Sequence, residues 1–77
     1  MILEPPSQYL APYATLTEWI LDAPEVDWLC RTAGVKSASQ VIGCSFKIGD
    51  RCYIILSSHA VDVLRRHETA HCNGWRH

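Results

Sequence analysis

Hydrophobic positions fall into five runs, and their periods differ. Leu16, Trp19, Ile20 and Ala23 recur at i, i+3, i+4 and i+7, the spacing of one helical face. Thr15-Leu16-Thr17-Glu18 fits a capping box, a hydroxyl residue followed three positions later by Glu. The pattern predicts a helix opening near Thr15 and stopped by Pro24, because the residue before a proline avoids the α region. Val26, Leu29, Cys30 and Ala33 repeat the stripe and predict a second helix. Asp22 or Ala23 is placed to cap it, Pro24 suits its first position, and Gly34 suits its end.

The period then changes. Residues 41–48 and 51–56 are rich in β-branched and aromatic residues and flank Gly49-Asp50, which predicts a β-hairpin. The second run is apolar almost throughout, so it should be covered on both faces. Beyond it, Ala60, Val63, Leu64, His67, Ala70 and His71 share one side of a last helix. Ser57 or Ser58 is expected to cap that helix, and Gly74 to end it. Residues 1–14 hold three of the four prolines and read as an irregular arm that lies on the body or frays. The expected fold class is α+β in a single domain, 1–77. It has two N-terminal helices, a hairpin or small antiparallel sheet, and a C-terminal helix.

Length sharpens this picture. A chain of 77 residues buries only about 60% of its unfolded surface and is marginal without a disulfide, a metal or a partner. The net charge of −1 offers no basic footprint for nucleic acid. The one basic pair, Arg65-Arg66, reads as a solvated helix face. No run approaches the ~20 apolar residues of a membrane span. Met1-Ile2-Leu3-Glu4-Pro5-Pro6 has neither the basic region nor the apolar core of a signal peptide. The expected compartment is therefore the cytoplasm, or outside the cell for an excised mature fragment. Cys30, Cys44, Cys52 and Cys72 allow two disulfides in three pairings. They equally suit free thiols in a core, which is the expected state. Without a C-x-x-C pair, a zinc site of all four cysteines is not expected.

Chemistry concentrates at the end of the chain. His67-Glu68-Thr69-Ala70-His71-Cys72-Asn73-Gly74-Trp75-Arg76-His77 reads H-E-x-x-H-x-x-G-x-x-H. At this composition the first five positions alone would arise by chance in about one such chain per hundred, and the full pattern in a few per hundred thousand. Residues four apart share a helix face, so His67 and His71 present two imidazoles to one ion. Glu68, one position on, flanks the ion as a general base. A catalytic zinc takes three protein ligands and keeps one open position. Gly74 tolerates positive φ, which allows the chain to turn and bring His77 back as the third ligand. His59 reads as a surface residue. Cys72 reads as pointing to the core or to another cysteine. Trp19 and Trp28 read as core, and Trp75 as packing under the metal or as a plain hydrophobic plug.

Residues 67–77 resemble the active-site consensus of the metzincin zinc endopeptidases. The resemblance covers these eleven residues closely and 41–77 loosely. It implies a minimal zincin-like fold, with His67, His71 and His77 as zinc ligands and Glu68 as general base. It also implies hydrolysis of a peptide or protein substrate lying along the edge strand 41–48. The chain departs from the family in having no methionine turn after the third histidine, since Met1 is its only methionine. Two other readings compete: a non-catalytic zinc-stabilised interaction module, and the catalytic fragment of a larger protease. None of the three involves nucleic acid or a membrane, and each leaves oligomerisation open.

Overall fold

The computed structural model describes residues 4–77. The first three residues of the expected arm lie outside them. The element order is β1 (Leu16–Leu21), α1 (Ala23–Thr32), β2 (Gly43–Ile48), β3 (Arg51–Ser57) and α2 (Val61–Cys72). Short 3-10 turns occupy Ser7–Tyr9 and Ser58–Ala60.

The run Cys52-Tyr53-Ile54-Ile55-Leu56 organises the rest. A strand apolar on both faces is stable only between two strands and under cover on both sides. It becomes the central strand β3 of a sheet ordered β1-β3-β2. The hairpin forms as expected: β2 runs antiparallel to β3, with Ile48 opposite Arg51 across the Gly49-Asp50 turn.

The first expected helix is a strand. Leu16–Leu21 pairs parallel to β3, from Leu16 opposite Cys52 to Leu21 opposite Ser57. Six residues are too few for spacing to separate a helix from a strand. The bare edge of β3 needed backbone partners, and that demand outweighed a local capping pattern. Glu18, expected to fold back on Thr15, instead accepts two hydrogen bonds from Arg65, at 2.6 and 3.1 Å. The sheet is therefore mixed, not antiparallel, and one N-terminal helix remains.

Side chains alternate along β3 and divide the core in two. Ile55 faces α1 with Val26, Cys30, Val41 and Cys44. Cys52, Ile54 and Leu56 face α2 with Leu64 and Cys72. A disulfide closes each half: Cys30–Cys44 ties α1 to β2, and Cys52–Cys72 ties the last turn of α2 to β3. The expectation of free thiols is corrected, since all four cysteines are bonded. A core this thin brings α1 and α2 within bridging reach of the sheet.

Smaller corrections follow from the same layering. Trp28 is 65% and Trp19 45% exposed, so neither belongs to the core. Val63 is also exposed, because α2 turns Leu64, Glu68 and Cys72 inward with His67. Neither Ser57 nor Ser58 caps α2. The Ser57 hydroxyl donates to the Ile42 carbonyl at 2.7 Å, fastening the end of β3 to the segment leading into β2. The arm lies on the body: the Asn73 side chain donates to the Tyr9 and Ala11 carbonyls, and Arg66 pairs with Glu4.

Candidate functional site

α2 carries the first two site histidines, and its C-terminus delivers the third. The helix closes in a Schellman arrangement: Gly74 N–H donates to the His71 carbonyl, and Trp75 N–H to that of Ala70, both at 3.0 Å. Gly74 holds φ +100°, a conformation that a residue with a Cβ rarely adopts. The chain turns there as the sequence suggested, and His77 returns beneath the helix.

The three imidazoles converge. The Nε2 atoms lie 3.2 Å apart for His67 and His71, 3.3 Å for His67 and His77, and 3.1 Å for His71 and His77. His71 Nδ1 is 2.7 Å from the Trp75 carbonyl. A carbonyl only accepts, so Nδ1 donates to it, and Nε2 is the nitrogen that faces the other two histidines. Trp75, only 7% exposed, packs its ring against all three, with centroid separations of 4.8–5.2 Å. Its ring walls the three histidines on one side, and its carbonyl accepts from His71.

The three nitrogens lie close enough to hold a metal ion. Metal–nitrogen bonds of about 2.0–2.1 Å at tetrahedral angles would put ligand nitrogens about 3.3–3.4 Å apart. The observed separations of 3.1, 3.2 and 3.3 Å reach the lower end of that range. Among the described residues, His67, His71 and His77 are the one group of His, Cys, Asp or Glu side chains close enough to hold an ion. The disulfides remove every cysteine as a competing ligand. His59 stands apart in the turn Ser58–Ala60.

Glu68 is buried against the sheet, 6% exposed. A Cβ built on Gly43 would meet its Oε2 at 3.2 Å and Leu64 Cδ2 at 3.3 Å, so α2 approaches β2 where β2 has no side chain. Burial pushes the Glu68 carboxyl up from 4.5 to about 7, and a hydrogen bond with the Ser45 side chain opposes the rise. A carboxyl that titrates near neutrality beside the three histidines is suited to accept and return a proton. The sequence pattern missed Gly43 and Ser45. A lone glycine inside a strand is the signal that marks such a close approach; Ser45 carries no signal of its own.

A cavity of about 300 Å³ opens beside His71, between Ser45–Lys47 of β2 and the turn Gly74–Arg76. No helix among the described residues is long and apolar enough to cross a membrane. No known protein family, curated protein or solved structure matches the chain.

Proposed function

We propose that this chain is a minimal, zincin-like zinc peptidase, with His67, His71 and His77 holding the metal and Glu68 as general base. The observation that carries it is the convergence of three Nε2 atoms within 3.3 Å beside a buried carboxyl raised to about 7. Zinc, when bound, polarises the scissile carbonyl and makes water acidic enough to attack near neutral pH. Glu68 takes the proton of the attacking water and passes it to the leaving amine nitrogen. Burial keeps its basicity near the working pH. Trp75 fixes the tautomer of His71 through its carbonyl and shields the triad with its ring. The edge strand β2 borders the cavity and offers backbone groups to an extended peptide. The two disulfides favour an oxidising compartment over the cytoplasm.

A second reading is a zinc-stabilised interaction module without catalysis. The exposed Trp28 and Trp19 favour it, because exposed tryptophans are typical anchors of binding surfaces. A peptide-library digest with zinc-loaded wild type and Glu68→Gln separates the two. The expected result is cleavage by the wild type and a loss of 10²–10⁴-fold in the variant at unchanged zinc stoichiometry. Absence of cleavage by well-folded, zinc-loaded wild type would sink the peptidase reading.

A further inference from the structure

The cavity beside His71 is bordered by cations and by no acid. Its walls are Ser45 and Lys47 of β2, Trp75 and Arg76 of the C-terminal turn, His71, and the Cys52–Cys72 disulfide. No lining residue is acidic, although the chain as a whole carries −1. Arg31, Arg65 and Arg66 are engaged in ion pairs, whereas Lys47 and Arg76 make none among the described residues. The Lys47 ammonium lies 5.4 Å from the centre of the Tyr13 ring, a contact that positions it without neutralising it. The floor, a disulfide and an indole, is apolar and nearly dry, which strengthens a charge interaction at its mouth.

We propose that this cavity is a specificity pocket for a peptide carboxylate, with Lys47 and Arg76 as the residues that select it. The inference rests on the peptide-binding part of the proposed function and names the substrate class of that site. Its position against a metal ligand means that a side chain held there belongs to a residue next to the bond presented to the triad. A carboxylate enters between two cations from separate elements, one on the edge strand and one beyond the helix. A lysine or arginine side chain would meet both and be rejected.

The test uses the 77-residue chain, zinc-loaded and carrying Glu68→Gln so that it does not consume its ligand, and blocked five-residue alanine peptides. One carries a central aspartate, one a central lysine, one only alanine. A fourth, all alanine, keeps its free C-terminal carboxylate. Two weakly screened pairs give about tenfold tighter binding of the aspartate peptide than of the lysine peptide by calorimetry. Lys47→Glu/Arg76→Glu should invert that order, and Lys47→Gln/Arg76→Gln should level it. Tighter binding of the free-terminus peptide than of its blocked counterpart would identify a chain end as the preferred source of the carboxylate. Failure of the aspartate peptide to bind, or a preference unchanged in both double variants, overturns the proposal. A wild type that cleaves without preference for acidic peptides keeps the peptidase reading and overturns the pocket. One that binds acidic peptides selectively but cleaves none keeps the pocket and overturns the peptidase.

Discussion

On one face of the sheet, α1 covers Ile55 with Val26, Val41 and the Cys30–Cys44 bridge, and the one buried polar side chain on that side of β3, Ser57, donates to the Ile42 carbonyl. On the other face, α2 covers Ile54 and Leu56 with Leu64 and the Cys52–Cys72 bridge. Helix, strand and disulfide are used alike on both sides, yet among the described residues the two buried ionisable side chains outside the disulfides, His67 and Glu68, both belong to α2. Apolar burial stabilises at about 25 cal/mol per Å² whatever the conditions of pH or metal. A buried imidazole and a buried carboxyl are costly to desolvate and become favourable only with a cation or a proton. The α1 face is therefore a scaffold of fixed stability. On the proposed function the α2 face is conditional, and its stability depends on what binds.

Metal removal should separate the faces most sharply. Free zinc at a thousand times Kd adds about 4 kcal/mol to a native state that alone binds it. In a domain this small that is a rise of about 15–30 °C in Tm. His71→Ala should abolish the chelator-dependent shift, while Trp28→Ala on the opposite face should leave it intact. Calorimetric scans with and without chelator check this, and equal melting temperatures for the wild type would remove the metal from the account.

The two disulfides offer the next comparison. They close loops of 14 and 20 residues, so chain entropy alone gives each about 3 kcal/mol. Cys30→Ala/Cys44→Ala and Cys52→Ala/Cys72→Ala should thus destabilise the chain by similar amounts in denaturant titrations. Zinc affinity should respond to only one. Cys72 follows His71, a proposed ligand, and anchors the end of α2 to β3, so losing its bridge should loosen the proposed ligand set. A tenfold or greater loss of zinc affinity is expected for that pair alone. Equal losses for both pairs would mean that the faces are not independent.

What the sequence revealed of this arrangement follows the same division. The motif 67–77 was legible because helical spacing and one glycine are local signals for bringing its three histidines together. The hairpin was equally legible, since a Gly-Asp turn between two β-rich runs is a local signal. β1 was not, because Leu16–Leu21 is a strand only by virtue of the β3 edge it completes, 36 positions away in register. The disulfides were hidden for a related reason. Pairing depends on which helix meets which strand, and cysteine spacing carries no record of that. Trp28 misled because it was expected in the core although it lies off the stripe that α1 buries, at Val26 and Cys30.

Glu68 makes the conditional character of the α2 face measurable without metal. Its folded-state value of about 7 lies above the ordinary 4.5, so the folded chain keeps a proton that the unfolded chain has lost. The stabilisation this represents is complete below about pH 4.5 and disappears as pH rises through 7. Its size is about 3 kcal/mol at most. Glu68→Gln removes the titration, so in chelator the variant should gain on the wild type steadily between pH 5 and 8. Denaturant midpoints at four pH values suffice. A difference that does not vary with pH would mean that Glu68 is not desolvated as its burial indicates.

The finest test is one methyl group at Gly43. On the α1 face the sheet meets its helix through ordinary side chains, but at Gly43 α2 comes so near that a Cβ would press on Glu68 Oε2 and Leu64 Cδ2. Gly43→Ala should therefore cost stability modestly, about 1 kcal/mol, as overpacking of a tight contact does. The carboxylate is the freer of the two neighbours to move, so the displacement falls on the proposed base. Turnover is expected to drop severalfold more than the stability loss accounts for, with zinc affinity preserved, since His67 and His71 do not touch the added methyl. Measuring kcat, zinc affinity and denaturant midpoint on one preparation decides it. Unchanged turnover would show that Leu64, not Glu68, gives way, and that the close approach serves packing alone.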